Sequence, residues 1–407
     1  MTDAVAGPPA RSYKVIGLVG LAHSFSHFFQ LAMPPLFPFL RQEFGVGYVQ
    51  LGLLTTLFYV ASGLAQTPSG FLVDRFGARR VLFAGLGALA GAILLCGLAP
   101  AYWTLAPLMV VAGLGNSVFH PSDYSILTAS VDRSRLGRAY GAHTLGGNLG
   151  WAAAWVVMPG LALLLGWRGA LLVAGAAGLA VLVLLATQSA TLQGGARPRH
   201  AAGQPATRGP LVVVLLSAPI LLCFAYFTLL AISSVGLQNF LPTTLAALHG
   251  TPLAAANAAV TALLLGSSAG IIVGSIAADR AMHHDRVVAA GLAAGATLIV
   301  AVAQIDLSPP LLIGVLALAG FAMGVTTPSR DMLVRGATPH GATGRVFGFV
   351  YSGLDAGSVV APVILGAMLD HGHPGQTLWF AAQALLLAVG TATSLRRASP
   401  PAVRPAE

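Results

Sequence analysis

The chain is poor in charge: only 8% of its 407 residues are Asp, Glu, Lys or Arg, and the acids number 12 in all. A water-facing domain carries about a quarter charged residues, so an ordinary soluble globule is excluded. Cysteine is nearly absent. Cys96 and Cys223 stand in different apolar stretches, which leaves no basis for a disulfide framework or a cysteine-based zinc site. No Walker loop and no metallohydrolase motif occurs, and no polar stretch is large enough to fold as a separate catalytic domain. Neither an enzyme nor a cofactor is expected.

What the chain has in quantity is apolar length. Apolar residues make up 56% of it, and the mean hydropathy is +0.81. Runs of about 20 apolar residues, enough to cross a bilayer, fall at roughly 14–40, 48–72, 81–99, 103–129, 138–165, 168–187, 211–242, 253–278, 287–305, 310–334, 345–369 and 376–395. Helices satisfy the backbone there, so the expectation is an all-α membrane protein of twelve spans. The first run is too long for the apolar core of a signal peptide and is read as a span.

Basic residues set the orientation. With an internal N-terminus, Arg41 and Arg168 alone among the 21 Lys and Arg fall outside, and Arg330 lies inside a span. This bias predicts cytosolic termini and a cytoplasmic (inner) membrane location. The net charge of +9 then reflects topology and anionic lipid, and no nucleic-acid partner is implied. Residues 188–210, rich in Gly, Pro and Arg, read as a cytosolic linker between halves at 1–187 and 211–407.

The second half repeats the first. Pro121-Ser122, Gly137-Arg138 and Gly141 return as Pro328-Ser329, Gly344-Arg345 and Gly348. Gly70-Phe-Leu-Val-Asp74-Arg75-Phe-Gly77-Ala-Arg79-Arg80 returns in degraded form as Gly274-Ser-Ile-Ala-Ala-Asp279-Arg280. Gly70 and Gly77 are expected to permit close helix approach and a tight turn, Asp74 to accept from exposed amides at a helix N-terminus, and the arginines to sit at phosphate level.

Twelve spans, two halves and this loop resemble the major facilitator superfamily, over essentially the whole chain. The resemblance implies two pseudo-symmetric six-helix bundles and alternating access, with spans 1, 4, 7 and 10 lining the cavity. Gly70, Asp74, Arg75, Gly77, Arg80, Asp279 and Arg280 then form a conformational gate, since in the family the residue matching Asp74 stabilises a cytosolic-closed state. Ser117-Val-Phe-His120-Pro121 and Gly146-Gly147-Asn148-Leu-Gly150 are similar, more weakly, to the fosmidomycin-resistance branch of drug exporters. Here Ser122 separates His120-Pro121 from Asp123, and the proline usual in the antiporter signature is missing.

Polar residues inside spans point to the chemistry, because ionisable groups in hydrocarbon are costly and face cavities. His23, His27 and Gln30 share one helical face, as do Asn116, His120 and Asp123. His143 stands on the fifth span beside a small-residue run, Asp355 repeats the position of Asn148, and Thr327 and Arg330 share a face of the tenth span. His27, His120, Asp123 and Asp355 are the proton-coupling candidates, because histidine titrates near neutral pH and a cavity carboxylate can be tuned toward it. His23, Gln30, Asn116, Tyr226, Gln238, Asn239, Thr327 and Arg330 are the substrate-cavity candidates. His23 and His27 have metal-ligand spacing that His120 and Asp123 could complete, but no cysteine cluster or His-rich loop supports it, and no metal is assigned. Asp123 and Arg330 occupy equivalent repeat positions and are expected to approach when the cytosolic side is closed and to separate when it opens, the alternative being Arg330 snorkelling to the headgroups with Asp123 paired to His120; Asp331 can pair with Arg335. The resulting expectation is a monomeric secondary transporter, a proton-coupled exporter of a drug or metabolite. Uptake of an organic anion at Arg330 is the alternative, and a non-transporting receptor or scaffold the reading from another class.

Overall fold

The computed structural model describes residues 9–132, 135–192, 215–278, 283–338 and 343–398. Among them there is no strand. Helices α1 (Pro9–Gln30), α2 (Phe37–Phe44), α3 (Tyr48–Phe76), α4 (Ala78–Cys96), α5 (Tyr102–Asn116), α6 (Phe119–Ser130) and α7 (Leu136–Thr187) precede the linker. After it come α8 (Ala218–His249), α9 (Leu253–Ala278), α10 (His284–Gln304), α11 (Pro309–Ala337), α12 (Thr343–Asp370) and α13 (Pro374–Ala398).

Among the described residues, eleven stretches are long and apolar enough to cross a membrane, and one of them, Arg138–Thr187, has 50 residues. Unbroken, it would run about 75 Å, more than twice a hydrocarbon core. It is broken at Gly166, where φ is +72°, a region open to glycine and hostile to a Cβ. The stretch therefore holds two spans, and twelve result. The seventh span corrects the expected end near residue 242. Pro242 lies inside α8, which continues to His249 and stops at Gly250 with φ +64°, a left-handed cap.

The fourth span is split in two. Pro121 has no N–H to offer the carbonyl four residues earlier, at Ser117, and α5 ends at Asn116 while α6 begins at Phe119. The break separates α5, which carries Asn116, from α6, which carries His120 and Asp123.

The chain divides into two compact units, Met1–Ala201 with Pro362–Asp370, and Ala202–Ala361 with His371–Glu407. In the first, α7 packs on α1 and α4, and α5 on α3 and α4. Gly150 lies so close to α1 that a Cβ would overlap the Ser24 carbonyl oxygen, and one on Gly146 would stand 3.1 Å from the Gly20 carbonyl oxygen. Where lipid supplies no hydrophobic drive between helices, such small-residue approach is what binds them. Ser24 reinforces the seam by donating from Oγ to the Gly146 carbonyl at 2.8 Å. Asp370 belongs to the same unit. Its carboxylate accepts from the amides of Tyr48 at 2.7 Å and Val49 at 2.8 Å, capping the first turn of α3.

In the second unit α9 packs along α11. Gly266 and Gly270 meet the backbone of Ala317 and Phe321, while Gly320 and Gly324 meet that of Leu263 and Ser267, so the two helices interlock on glycine from both sides. Gly266-Ser-Ser268-Ala-Gly270 has the spacing of a hydrolase elbow. It lies mid-helix, with Ser268 Oγ donating to the Leu264 carbonyl at 3.0 Å, so it is a packing surface.

Gly77 takes φ +87° and separates α3 from α4, with its amide donating to the Val73 carbonyl at 2.9 Å. That is the tight turn expected of it. At Gly70, among the described residues, nothing lies within 4 Å of a Cβ. Asp74, Arg75 and Arg80 are exposed, and Arg79 donates to the Ser189 carbonyl at 2.8 Å. Asp279, Arg280 and most of the 188–210 linker lie outside the described residues.

Candidate functional site

Three helices of the first unit bring five ionisable side chains together. α1 supplies His23 and His27, α6 supplies His120 and Asp123 one turn apart, and α7 supplies His143. The glycine seam explains the meeting. Gly147 lies one turn beyond His143 on α7, and a Cβ there would fall 2.7 Å from His27 Cε1 and 3.1 Å from His23 Nε2, so only glycine leaves room for the α1 imidazoles.

Asp123 is completely buried. Its Oδ2 lies 3.1 Å from His143 Nε2, a hydrogen bond that the carboxylate accepts, and 3.2 Å from His23 Nδ1. The His23 and His143 rings stack with centroids 3.5 Å apart. His27 stands 4.4 Å from His23, and His120 stands 5.2 Å from His23. His23 and His143 are each 2% exposed and His27 8%, whereas His120 is exposed. Three polar atoms in this buried group have no hydrogen-bond partner: His23 Nδ1, His27 Nδ1 and Asp123 Oδ1. At 3.2 Å, His23 Nδ1 is near enough to Asp123 but not aligned with it. A buried polar atom left without a partner costs about 1–3 kcal/mol.

A neutral network adjoins it. Asn116 Oδ1 accepts from Ser26 Oγ at 2.7 Å and Gln30 Nε2 at 3.3 Å, and its Nδ2 donates to Ser62 Oγ at 2.9 Å. Trp151 Nε1 donates to Gln30 Oε1 at 3.1 Å, and its ring lies 4.3 Å from that of His27. Helices α1, α3, α5 and α7 are thereby tied through two amides, Asn116 and Gln30.

The second unit holds a separate cluster. Arg330 on α11 is only 15% exposed, pairs from Nε with Asp331 Oδ1 at 3.0 Å, and lies 4.6 Å over the Phe227 ring. Tyr351 donates to the same Asp331 oxygen at 3.0 Å. Tyr226 and Arg330 flank a cavity of about 10 Å³, room for no more than a single water. Gln238 and Asn239 are buried on α8, with Asn239 Nδ2 donating to the Val235 carbonyl at 2.7 Å, while Thr327 and Asp355 are half-buried.

Of the expected residues, His23, His27, His120 and Asp123 converge, and Gln30 and Asn116 form the adjoining network. The expected partner of Asp331 is corrected: among the described residues it takes Arg330 and Tyr351 in place of Arg335. Within its own unit Asp123 meets His23 and His143, and within its own Arg330 meets Asp331. Helical neighbours one residue apart ordinarily diverge, but the long Arg330 side chain folds back over Phe227 to reach Asp331. His143 and Trp151 were under-read. Their signal was the spacing His143, Gly147, Trp151 along one face of the fifth span.

A family model described as Major Facilitator Superfamily matches residues 19–250 and 222–407. Among curated relatives, the uncharacterized MFS-type transporter YfnC of Bacillus subtilis (strain 168) is 28% identical over 181 residues, 44% of each chain. The fosmidomycin resistance protein of Escherichia coli (strain K12) is 28% identical over 139 residues, 34% of each chain. The membrane sensor protein UhpC of the same organism is 28% identical over 280 residues, 62% of this chain and 63% of its own. The matched region thus spans about a third to just under two thirds of the length of these relatives. Among solved structures, a bacterial homolog of the human lysosomal transporter Spinster, inward-facing and occupied, superposes with TM-score 0.78 at 16% identity, covering 98% of this chain and 100% of its own.

Proposed function

The chain belongs to the Major Facilitator Superfamily, and from that premise we propose that it is a secondary active transporter exporting a small organic solute, a drug or metabolite, by alternating access coupled to entry of protons. The observation that carries the coupling is Asp123, a carboxylate buried within spanning helices whose ion-pair partners among the described residues are imidazoles. An ionisable group at that depth marks a cation route by default. In this reading His27, His120 and Asp123 pass the proton. Asn116 and Gln30 meet solute in the same unit, Arg330 and Tyr226 in the other, and Asp355 is the second carboxylate of the route. Similarity to a fosmidomycin resistance protein supports export. The basic-residue bias supports a cytoplasmic-membrane location with cytosolic termini, and the two halves, 1–187 and 211–407, act as a monomer joined by the 188–210 linker.

Arg330 already holds a carboxylate and an aromatic face, which weakens uptake of an organic anion at that residue. The match to a protein named as a membrane sensor favours keeping a receptor reading as the second possibility. One experiment separates them. A deletion and an overexpressing strain are screened for growth across a compound panel, and each hit is then measured in proteoliposomes with an imposed pH gradient. Solute moving against its own gradient only when the pH gradient is present supports proton-coupled transport; saturable binding without movement supports the receptor.

A further inference from the structure

We infer that His23, His120, His143 and Asp123 form a binding site for a divalent transition metal of the Zn²⁺ class, within the first unit. The inference rests on reading this cluster as a cation site, and it names a second cation that competes there with the proton. Among the described residues, one ring nitrogen from each of the three histidines falls within 4.8 Å of the others. Zinc bound by imidazole and carboxylate at about 2.0–2.1 Å places its tetrahedral donors about 3.3–3.4 Å apart. Two edges of such a tetrahedron stand in the structure, Asp123 Oδ2 to His143 Nε2 at 3.1 Å and to His23 Nδ1 at 3.2 Å. The edges among the three histidines, up to 4.8 Å apart, close by up to about 1.5 Å through side-chain rotation, and Asp123 joins the set through His23 and His143.

The bonding is otherwise hard to explain. His23 Nδ1 and Asp123 Oδ1 are buried without hydrogen-bond partners, and the former faces a carboxylate oxygen without being aligned to donate to it. A metal ion uses such lone pairs directly. Three imidazoles and one carboxylate suit zinc and its near neighbours, and disfavour calcium or magnesium, which take oxygen donors. His120 is the exposed member of the set, while His23, His143 and Asp123 are buried. His120 and Asp123 stand one turn apart in the first turns of α6, beyond the break that Pro121 creates, and the glycine seam holds α7 near enough to α1 for His143 to meet His23. The sequence pattern pointed to His23 with His27. The structure instead sets His143 in the third position, and His27 lies beside the set with Trp151.

The test uses the full chain in detergent, purified through a tag without histidine. Co²⁺ titration should give the strong visible absorption of a tetrahedral complex at one equivalent, and Zn²⁺ should displace it. His143→Gln and Asp123→Asn should each weaken Zn²⁺ affinity by more than about tenfold, while His249→Gln, in the second unit and bonded to the Val302 carbonyl, should leave it unchanged. If the buried variants do not fold, His120→Ala still decides, because an exposed residue is replaced without disturbing the core. Affinity equal to wild type in monodisperse His120→Ala, or Co²⁺ bound with only the faint colour of an octahedral complex, overturns the site. A chain that binds no metal yet transports under a pH gradient removes this inference alone. A chain that binds the metal and ignores the pH gradient supports the site and removes the proton reading.

Discussion

Gly150→Ala tests whether the seam between α1 and α7 is as tight as its backbone contacts imply. The added methyl would overlap the Ser24 carbonyl oxygen and stand 3.1 Å from the Phe28 amide nitrogen. Both are backbone atoms of a helix, so neither can swing aside as a side-chain tip would. Overpacking of this kind costs about 1–3 kcal/mol, against which alanine returns about 0.5–1 kcal/mol of helix preference. Gly141, nine residues earlier on the same helix, supplies the control, since nothing lies within 4 Å of a Cβ there. Gly141→Ala keeps the helix gain and meets no obstacle. The two variants should therefore differ by about 1–3 kcal/mol, roughly 2–12 °C in unfolding temperature for a unit of some 200 residues. Tryptophan fluorescence during heating in detergent reads the difference, with Gly141→Ala at or above wild type and Gly150→Ala below it. Equal midpoints for the two variants would refute the contact.

Asp123→Asn keeps the shape of the carboxylate but holds no exchangeable proton, so gradient-driven transport should vanish while solute exchange or binding persists; wild-type accumulation by this variant would place the proton route elsewhere, with Asp355 next. Asp370→Ala strips the cap from α3 and should lower stability by about 0.5–2 kcal/mol, and Asp370→Asn should recover part of that, because an amide oxygen can still accept from Tyr48 or Val49; no loss in the alanine variant would mean that solvent serves those amides equally well. Ala190→Cys and Gly203→Cys should resist an impermeant thiol reagent in intact cells and react after permeabilisation, and labelling of either from outside would invert the topology argued from the arginines.

Most of the fold was legible because two strong rules act on the whole chain: bilayer length fixes the spans, and the shared spacing of Pro121 with Pro328 and Gly141 with Gly348 exposes the duplication. The boundary between the fifth and sixth spans was readable at Gly166 for the same reason. The end of α8 was not, because proline stops an isolated helix but is tolerated in a spanning one. The ionisable site was half legible. Periodicity places His23 beside His27 and His120 beside Asp123, since it describes one helix at a time. Which helices then meet depends on backbone approach, and Gly146, Gly147 and Gly150 bring α7 to α1 by having no side chain. Arg330 shows the limit from the other side, since the i,i+4 rule assigned Asp331 to Arg335 and passed over an adjacent residue that a long side chain could reach.

The glycine seams also separate the wear of evolution from its invention. Gly146 and Gly150 press on α1 in the first unit, and their repeat counterparts Gly353 and Gly357 press on α8 in the second. The duplicated chassis is thus defined by volume, in a vocabulary of residues too small to hold chemistry. Next to it stand His143 and Asn148 in one copy, Val350 and Asp355 in the other. A lineage can exchange those occupants, histidine for valine or amide for acid, without renegotiating how the helices touch, so one ancestral half could be tuned for cations and its twin for something else.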